Sequence, residues 1–97
     1  MERTGKVSIT YCTQCNWGLR ATWMASELLS TFALELDEVA LVPRTGGIFT
    51  IHADGHRIWD RKTDGGFPEI TELKRRVRDV IAPDRQLGHI DRVAQDS

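Results

Sequence analysis

Two cysteines three positions apart, Cys12-Thr13-Gln14-Cys15, follow directly on the apolar run Val7-Ser8-Ile9-Thr10-Tyr11. They are the only cysteines in the chain. The pair constrains the fold because the backbone must leave a strand and turn sharply for the two thiols to meet. At this spacing the sulfurs close into a small ring without displacing the rest of the fold. Such a pair can be oxidised and reduced repeatedly, which makes redox chemistry the leading reading of the residues.

The hydrophobic pattern supplies the elements around the pair. Val7 to Tyr11 alternates apolar and hydroxyl residues and reads as a strand. After a turn through the motif and Asn16, Ala21, Met24, Ala25, Leu28, Leu29, Phe32 and Leu36 recur at helical spacing. That helix is expected to end near Glu35, before Asp37 and the β-branched Val39. Val39-Ala40-Leu41-Val42 is continuously apolar, as in a strand covered on both faces, and Pro43 is expected to stop it. Gly46-Gly47 permits a turn into the strand Ile48 to His52. Asp54-Gly55 is a hairpin signal, and Arg57 to Asp60 is the returning strand. Asp64-Gly65-Gly66 reads as a loop. Ile70, Leu73, Val77, Val80 and Ile81 predict a second helix between Pro68 and Pro83.

The order is β-α-β-β-β-α. A long helix joins the first two strands, so they are expected to run parallel through a right-handed crossover. The last two strands form an antiparallel hairpin. The expected fold class is α/β: a four-stranded mixed sheet with helices, a thioredoxin-like arrangement. The domain is placed at residues 1–83. Residues 84–97 form a polar C-terminal tail, either disordered or docked weakly through Leu87, Ile90 and Val93.

Composition narrows the setting. The 97 residues suffice for one domain with a modest core, at 40% hydrophobic and 28% charged. No apolar run approaches the ~18 residues of a membrane span. Met1 to Lys6 lack the apolar core of a signal peptide, so a cytoplasmic protein is expected. In a reducing compartment a cysteine pair is catalytic, redox-sensing or metal-binding more often than a permanent staple. The net charge of −1 provides no global field for nucleic acid. The basic residues from Lys74 to Arg78, interspersed with Glu72 and Asp79, read as a solvated helix face.

The attacking species in thiol–disulfide exchange is the thiolate, and a helix N-terminus favours it. If the first helix starts at the motif, Cys12 sits near its cap as the more exposed sulfur and Cys15 lies in its first turn. The immediate neighbours are neutral, and Arg20 is the nearest cation in sequence. Zinc is the rival reading, but a structural site needs four ligands and His52, His56 and His89 are scattered. No metal is therefore expected. Chemically inert thiols remain a third reading.

The chain resembles a bacterial, cysteine-containing member of the selenoprotein W group, the Rdx or SelT/SelW/SelH family. The resemblance spans roughly Val7 to Ile81. It rests on Tyr11-Cys12-x-x-Cys15, on Pro43 before a turn, and on Gly47-Ile48-Phe49-Thr50-Ile51. Gly55-x-x-Ile58-Trp59-Asp60-Arg61-Lys62 and Gly66-Phe67-Pro68 complete it. It implies the thioredoxin-like fold and thiol-based redox work on protein thiols or disulfides, with glutathione or thioredoxin as the linked system. No bound cofactor is implied; glutathione enters as co-substrate. Selenocysteine members carry selenocysteine at the position of Cys15, which marks that atom as the most reactive. The helix-cap argument favours Cys12 instead, so the attacker stays open between the two. Trp17 and the loop residues Gly65, Gly66 and Phe67 are candidate substrate or partner contacts. Pro43 is the candidate near-site proline, since thioredoxin-like proteins place a proline, often cis, opposite the cysteines. Trp23 falls off the apolar stripe, marking either a partner surface or partial burial. Two functions fit: an oxidoreductase using Cys12 and Cys15, or a redox-responsive binding module without turnover. The oligomeric state is not legible.

Overall fold

The computed structural model describes residues 4–88. Strand β1 (Gly5–Cys12) is followed by helix α1 (Gly18–Thr31) and strand β2 (Leu36–Arg44). Strands β3 (Phe49–Ala53) and β4 (His56–Asp60) form the hairpin. A four-residue helix α2 (Arg61–Asp64) and helix α3 (Ile70–Ile81) complete the order. The strands lie in the order β2-β1-β3-β4, with β1 parallel to β2 and the other pairings antiparallel. This is the expected four-stranded mixed sheet with helices.

Alternation along the central strands decides which side of the sheet is covered. Val7 and Ile9 of β1 and Phe49, Ile51 and Ala53 of β3 are buried. Their neighbours Ser8, Thr10, Thr50 and His52 are only half-buried. The buried set shares one core with Met24 and Leu28 of α1 and Leu73 and Val77 of α3. Both long helices therefore serve the same core. Each large side chain in it contributes roughly 1.5–3 kcal/mol.

The hairpin forms where expected. Asp54 (φ 48°) and Gly55 (φ 83°) both adopt the left-handed conformation that a two-residue turn requires. Asp54 also accepts a hydrogen bond from the Lys6 amide through Oδ1 at 2.8 Å.

Several expectations are corrected. Helix α1 stops at Thr31, and Phe32 caps it. Leu36 is buried as the first residue of β2, and Leu29 is exposed on the outer side of α1. The apolar run Val39 to Val42 is not covered on both faces, since Leu41 is exposed, and it lies on an edge strand. Pro43 does not stop β2, which runs to Arg44 with Pro43 opposite Tyr11. An edge strand tolerates proline because its outward N–H has no ladder partner to lose. Asp64 closes α2 instead of opening a loop. Trp23, left open between exposure and partial burial, is 48% exposed.

Beyond Pro83 the chain remains packed as far as it is described. Arg85 Nη1 donates to Thr31 O at 2.7 Å and to Glu35 Oε2 at 2.8 Å, and its guanidinium covers the Phe32 ring. Leu87 packs against the core. Ile90 and Val93, named as possible docking residues, lie outside the described residues, as does His89.

Candidate active site

The sheet register assembles the site. β1 ends at Cys12, and its parallel neighbour β2 ends beside it at Arg44. The antiparallel β3 starts at the same end, with Phe49 opposite Tyr11. β4 returns there, with Asp60 opposite Thr50. Helix α2 and the loop Gly65-Gly66-Phe67 leave from that point. One end of the sheet thus gathers the cysteines, Arg44, Phe49, Arg61 and Phe67 from distant parts of the chain.

Cys12 and Cys15 form a disulfide, with their Cα atoms 5.3 Å apart. The first helix does not start at the motif. Cys12 is the last residue of β1, the chain turns through residues 13–16, and α1 begins only at Gly18. The turn is held by Asn16 N–H donating to Thr13 O at 3.1 Å. Asn16 takes a left-handed φ of 60°, which breaks any helical path from the cysteines into α1. Thr13 ties the turn to β2, donating through N and Oγ1 to Arg44 O at 2.9 and 3.2 Å.

This geometry reverses the expected exposure. Cys12 is 1% exposed, whereas Cys15 is half-buried. The premise that made Cys12 the outer sulfur at a helix cap therefore fails: Cys12 is a strand residue, closed over by the turn that follows it. An open groove of about 460 Å³, lined by Tyr11, Thr13, Asn16, Gly18 and Leu19, runs beside the motif.

Aromatic rings support the turn from the other side. Trp17, the residue preceding α1, meets Phe67 edge-on with centroids 5.0 Å apart and Phe49 at 6.2 Å. Phe49 and Phe67 meet at 4.9 Å. Such T-shaped contacts place ring edges against ring faces and contribute about 0.5–1.5 kcal/mol each beyond burial. Trp17 is half-buried, so it both packs and presents a surface. The loop reaching Phe67 is anchored by Trp59 Nε1, which donates to Gly66 O at 2.9 Å. Gly65 (φ 79°) and Gly66 (φ 132°) make the bend. Of the candidate contacts, Phe67 and Trp17 touch directly; Gly66 holds the loop and Gly65 is exposed at its tip. Pro43 is exposed, one residue before the register partner of Cys12. Its peptide bond is trans, since the described residues contain no cis bond.

Two arginines were not singled out as contacts. The Arg20 guanidinium lies 4.1 Å from the Phe67 centroid, and Arg61 lies 4.8 Å from Trp17 and 5.2 Å from Phe67. Only the sequence nearness of Arg20 to Cys15 hinted at this; nothing local pointed to Arg61. Among the described residues, no group of three or more His, Cys, Asp or Glu side chains could hold a metal ion. No helix there is long and apolar enough to cross a membrane.

The sequence model of the Rdx family matches residues 6–79, the span that builds the sheet, the cysteine turn and the aromatic loop. The chain belongs to the Rdx family. Solved relatives agree with this in sequence and in shape. The crystal structure of a selenoprotein W-related protein from Vibrio cholerae is 52% identical, covering 80% of this chain and 98% of that one, with a TM-score of 0.79. A crystal structure from Bordetella parapertussis is 64% identical, covering 77% of this chain and 95% of that one, with a TM-score of 0.75. No curated protein matches the chain. Within this Rdx protein the thioredoxin-like fold and the Cys12-x-x-Cys15 motif stand as read from the sequence.

Proposed function

We propose that this Rdx protein is a thiol–disulfide oxidoreductase in which Cys15 attacks and Cys12 resolves. The observation that carries the reading is the unequal exposure of two cysteines whose sulfurs are within bonding reach: Cys12 is 1% exposed and Cys15 is half-buried. In the reduced protein the Cys15 thiolate displaces one sulfur of a substrate disulfide, forming a mixed disulfide and releasing a thiolate. Cys12 then loses its proton and attacks Cys15 Sγ. The internal disulfide forms, the second substrate thiolate leaves, and two electrons have passed to the substrate. A dithiol or glutathione donor restores the reduced pair.

Burial suits Cys12 to the second step. An interior thiol meets few outside disulfides but lies beside the mixed disulfide whenever one forms. The work is expected to take place in the cytoplasm on protein thiols or disulfides, with glutathione or thioredoxin as the reducing link.

Single substitutions test the roles. Cys12→Ser is expected to accumulate a stable mixed disulfide with a model disulfide, seen as an adduct by intact-mass spectrometry. Cys15→Ser is expected to react at least about tenfold more slowly, because its remaining thiol is covered. Equal adduct formation by both variants would remove the role assignment. Turnover of the parent no faster than the double-serine variant would favour the redox-responsive binding module.

A further inference from the structure

The charges of this protein are sorted by position. Lys6 pairs with Glu38, Lys74 with Glu27, Arg76 with Glu72 and Asp64, and Arg85 with Glu35. Arg57, Arg75 and Arg78 have carboxylate partners too. Among the described residues, Arg20, Arg44, Arg61 and Lys62 pair with no carboxylate. All four stand at the cysteine end of the sheet. Arg44 is the register partner of Cys12, and Arg61 and Lys62 open α2 directly after β4. Arg20 lies in the first turn of α1, over Phe67.

The carboxylates at that end are already engaged. Asp60 pairs with Arg57 and accepts from the Lys62 amide. Asp64 accepts from the Asp60 amide and pairs with Arg76. Glu69, two residues beyond Phe67, is exposed and pairs with none of the four cations.

Arg61 is the most telling member. Its guanidinium stacks on Trp17 and Phe67, and its Nε is buried without a hydrogen-bond partner. A cation partly stripped of water against aromatic faces attracts an incoming anion more strongly than a fully hydrated one. Arg20, Arg44 and Lys62 are exposed and able to receive such an anion. A protein of net charge −1 thus holds a local positive field around its disulfide.

We propose that Arg20, Arg44 and Arg61, with Lys62 beside them, select disulfide substrates that carry carboxylates next to the reacting sulfur. The inference rests on the redox reading above and names the substrate class for that site. The cations do not enter the exchange chemistry. They raise the encounter rate and orient the substrate, so their effect lies in the second-order rate constant and weakens with salt.

The test uses the reduced full chain and a series of short peptide disulfides, identical except for flanking Asp, Asn or Lys residues. Second-order rate constants are measured by stopped flow in low and high salt. The Asp-flanked peptide is expected to react roughly tenfold or more faster than the Lys-flanked one at low ionic strength, with most of that ratio lost near 1 M salt. Glutathione disulfide and its carboxyl-esterified form run in parallel. A gain confined to that pair assigns the carboxylates to a small thiol, and a gain with the peptides assigns them to an acidic protein segment.

Arg44→Gln, at an exposed side chain bonded only to the carbonyl of Pro43, should lower the Asp-to-Lys ratio about threefold. Arg20→Gln with Arg44→Gln should lower the ratio further, leaving only the part due to Arg61 and Lys62, and Arg44→Lys should restore most of the loss seen with Arg44→Gln. Lys74→Gln, paired to Glu27 away from the site, should leave the ratio unchanged. Equal rates for all peptides together with equal rates for glutathione disulfide and its ester, or ratios indifferent to salt, overturn this inference while leaving the redox reading intact. Failure to react with any disulfide overturns the redox reading and the inference with it.

Discussion

At the hairpin end of the sheet, Lys6 is tied twice: its amide donates to Asp54 Oδ1 at 2.8 Å, and its ammonium lies 3.4 Å from Glu38. At the cysteine end, Arg20, Arg44 and Arg61 pair with no described carboxylate, and a triangle of aromatic rings packs beside the hydrogen-bonded turn. The strands run from one end to the other, with register shifts between Gly5 and Lys6 and between Ile51 and His52. The polar groups of the hairpin end are directed at one another. At the cysteine end four cations pair with no described carboxylate, and the cysteine turn is held by the bonds of Thr13 to Arg44 O together with the aromatic packing. Under the proposed function, an end that meets a substrate keeps its charges available.

The largest expected effect tests that division of labour. Phe49 is 1% exposed, stands opposite Tyr11, and touches both Trp17 and Phe67. Phe49→Ala should lower unfolding free energy by about 3–5 kcal/mol, read from urea denaturation. In the folded fraction, Cys15 should alkylate at an altered rate because Trp17 has lost its backing. A loss below about 1 kcal/mol would mean that the rings do not carry the cysteine end, and the contrast would collapse.

The middle effect concerns the backbone that delivers Phe67. Gly66 has φ 132°, and a Cβ built there meets nothing within 4 Å. Any penalty for Gly66→Ala is therefore conformational and not steric. Holding a non-glycine residue in such a region costs about 1–3 kcal/mol. The variant should lose that much stability, and the Trp59–Gly66 hydrogen bond should loosen, seen as a shift of the Trp59 indole N–H resonance. A neutral substitution would show that the loop can deliver Phe67 by another path.

The strand pattern, the Asp54-Gly55 turn and helix α3 were legible because each is written within a few neighbouring residues. Ile70, Leu73 and Val77 repeat with the helical period, and Asp-Gly at a tight turn has few alternatives. The edge position of β2 was not legible, because nothing in the apolar run Val39 to Val42 marks whether one neighbouring strand or two will pair with it. The start of α1 was missed because Trp17 offers no capping side chain, so nothing marked Gly18 as the first helical residue. Helix α2 is too short for periodicity to register, though Asp60 and Asp64 bracketing it before two glycines formed a usable signal. At the site, the cysteines declared themselves and the loop 65–67 was named, but the burial of Cys12 depends on a turn whose shape is set by Asn16. Arg61 over Trp17 depends on β4 ending beside β1, a tertiary fact without a local trace.

The smallest effects separate the two ends most sharply. Lys6 and Glu38 are 62% and 53% exposed at the side chain, so water screens their attraction and ordering two long side chains offsets much of the gain. Glu38→Gln should therefore cost only about 0.2–1 kcal/mol, and the difference should vanish near 1 M salt. Arg44→Gln should move stability by no more than about 0.5 kcal/mol in either direction, because no described carboxylate loses a partner. Its effect should fall on disulfide exchange with acidic substrates, which Glu38→Gln leaves untouched. Matched urea curves and exchange rates for the two variants make the comparison directly. If Arg44→Gln destabilises the fold by more than Glu38→Gln does, the cation is structural, and the outward charge at the cysteine end is a consequence of folding instead of a feature held for a partner.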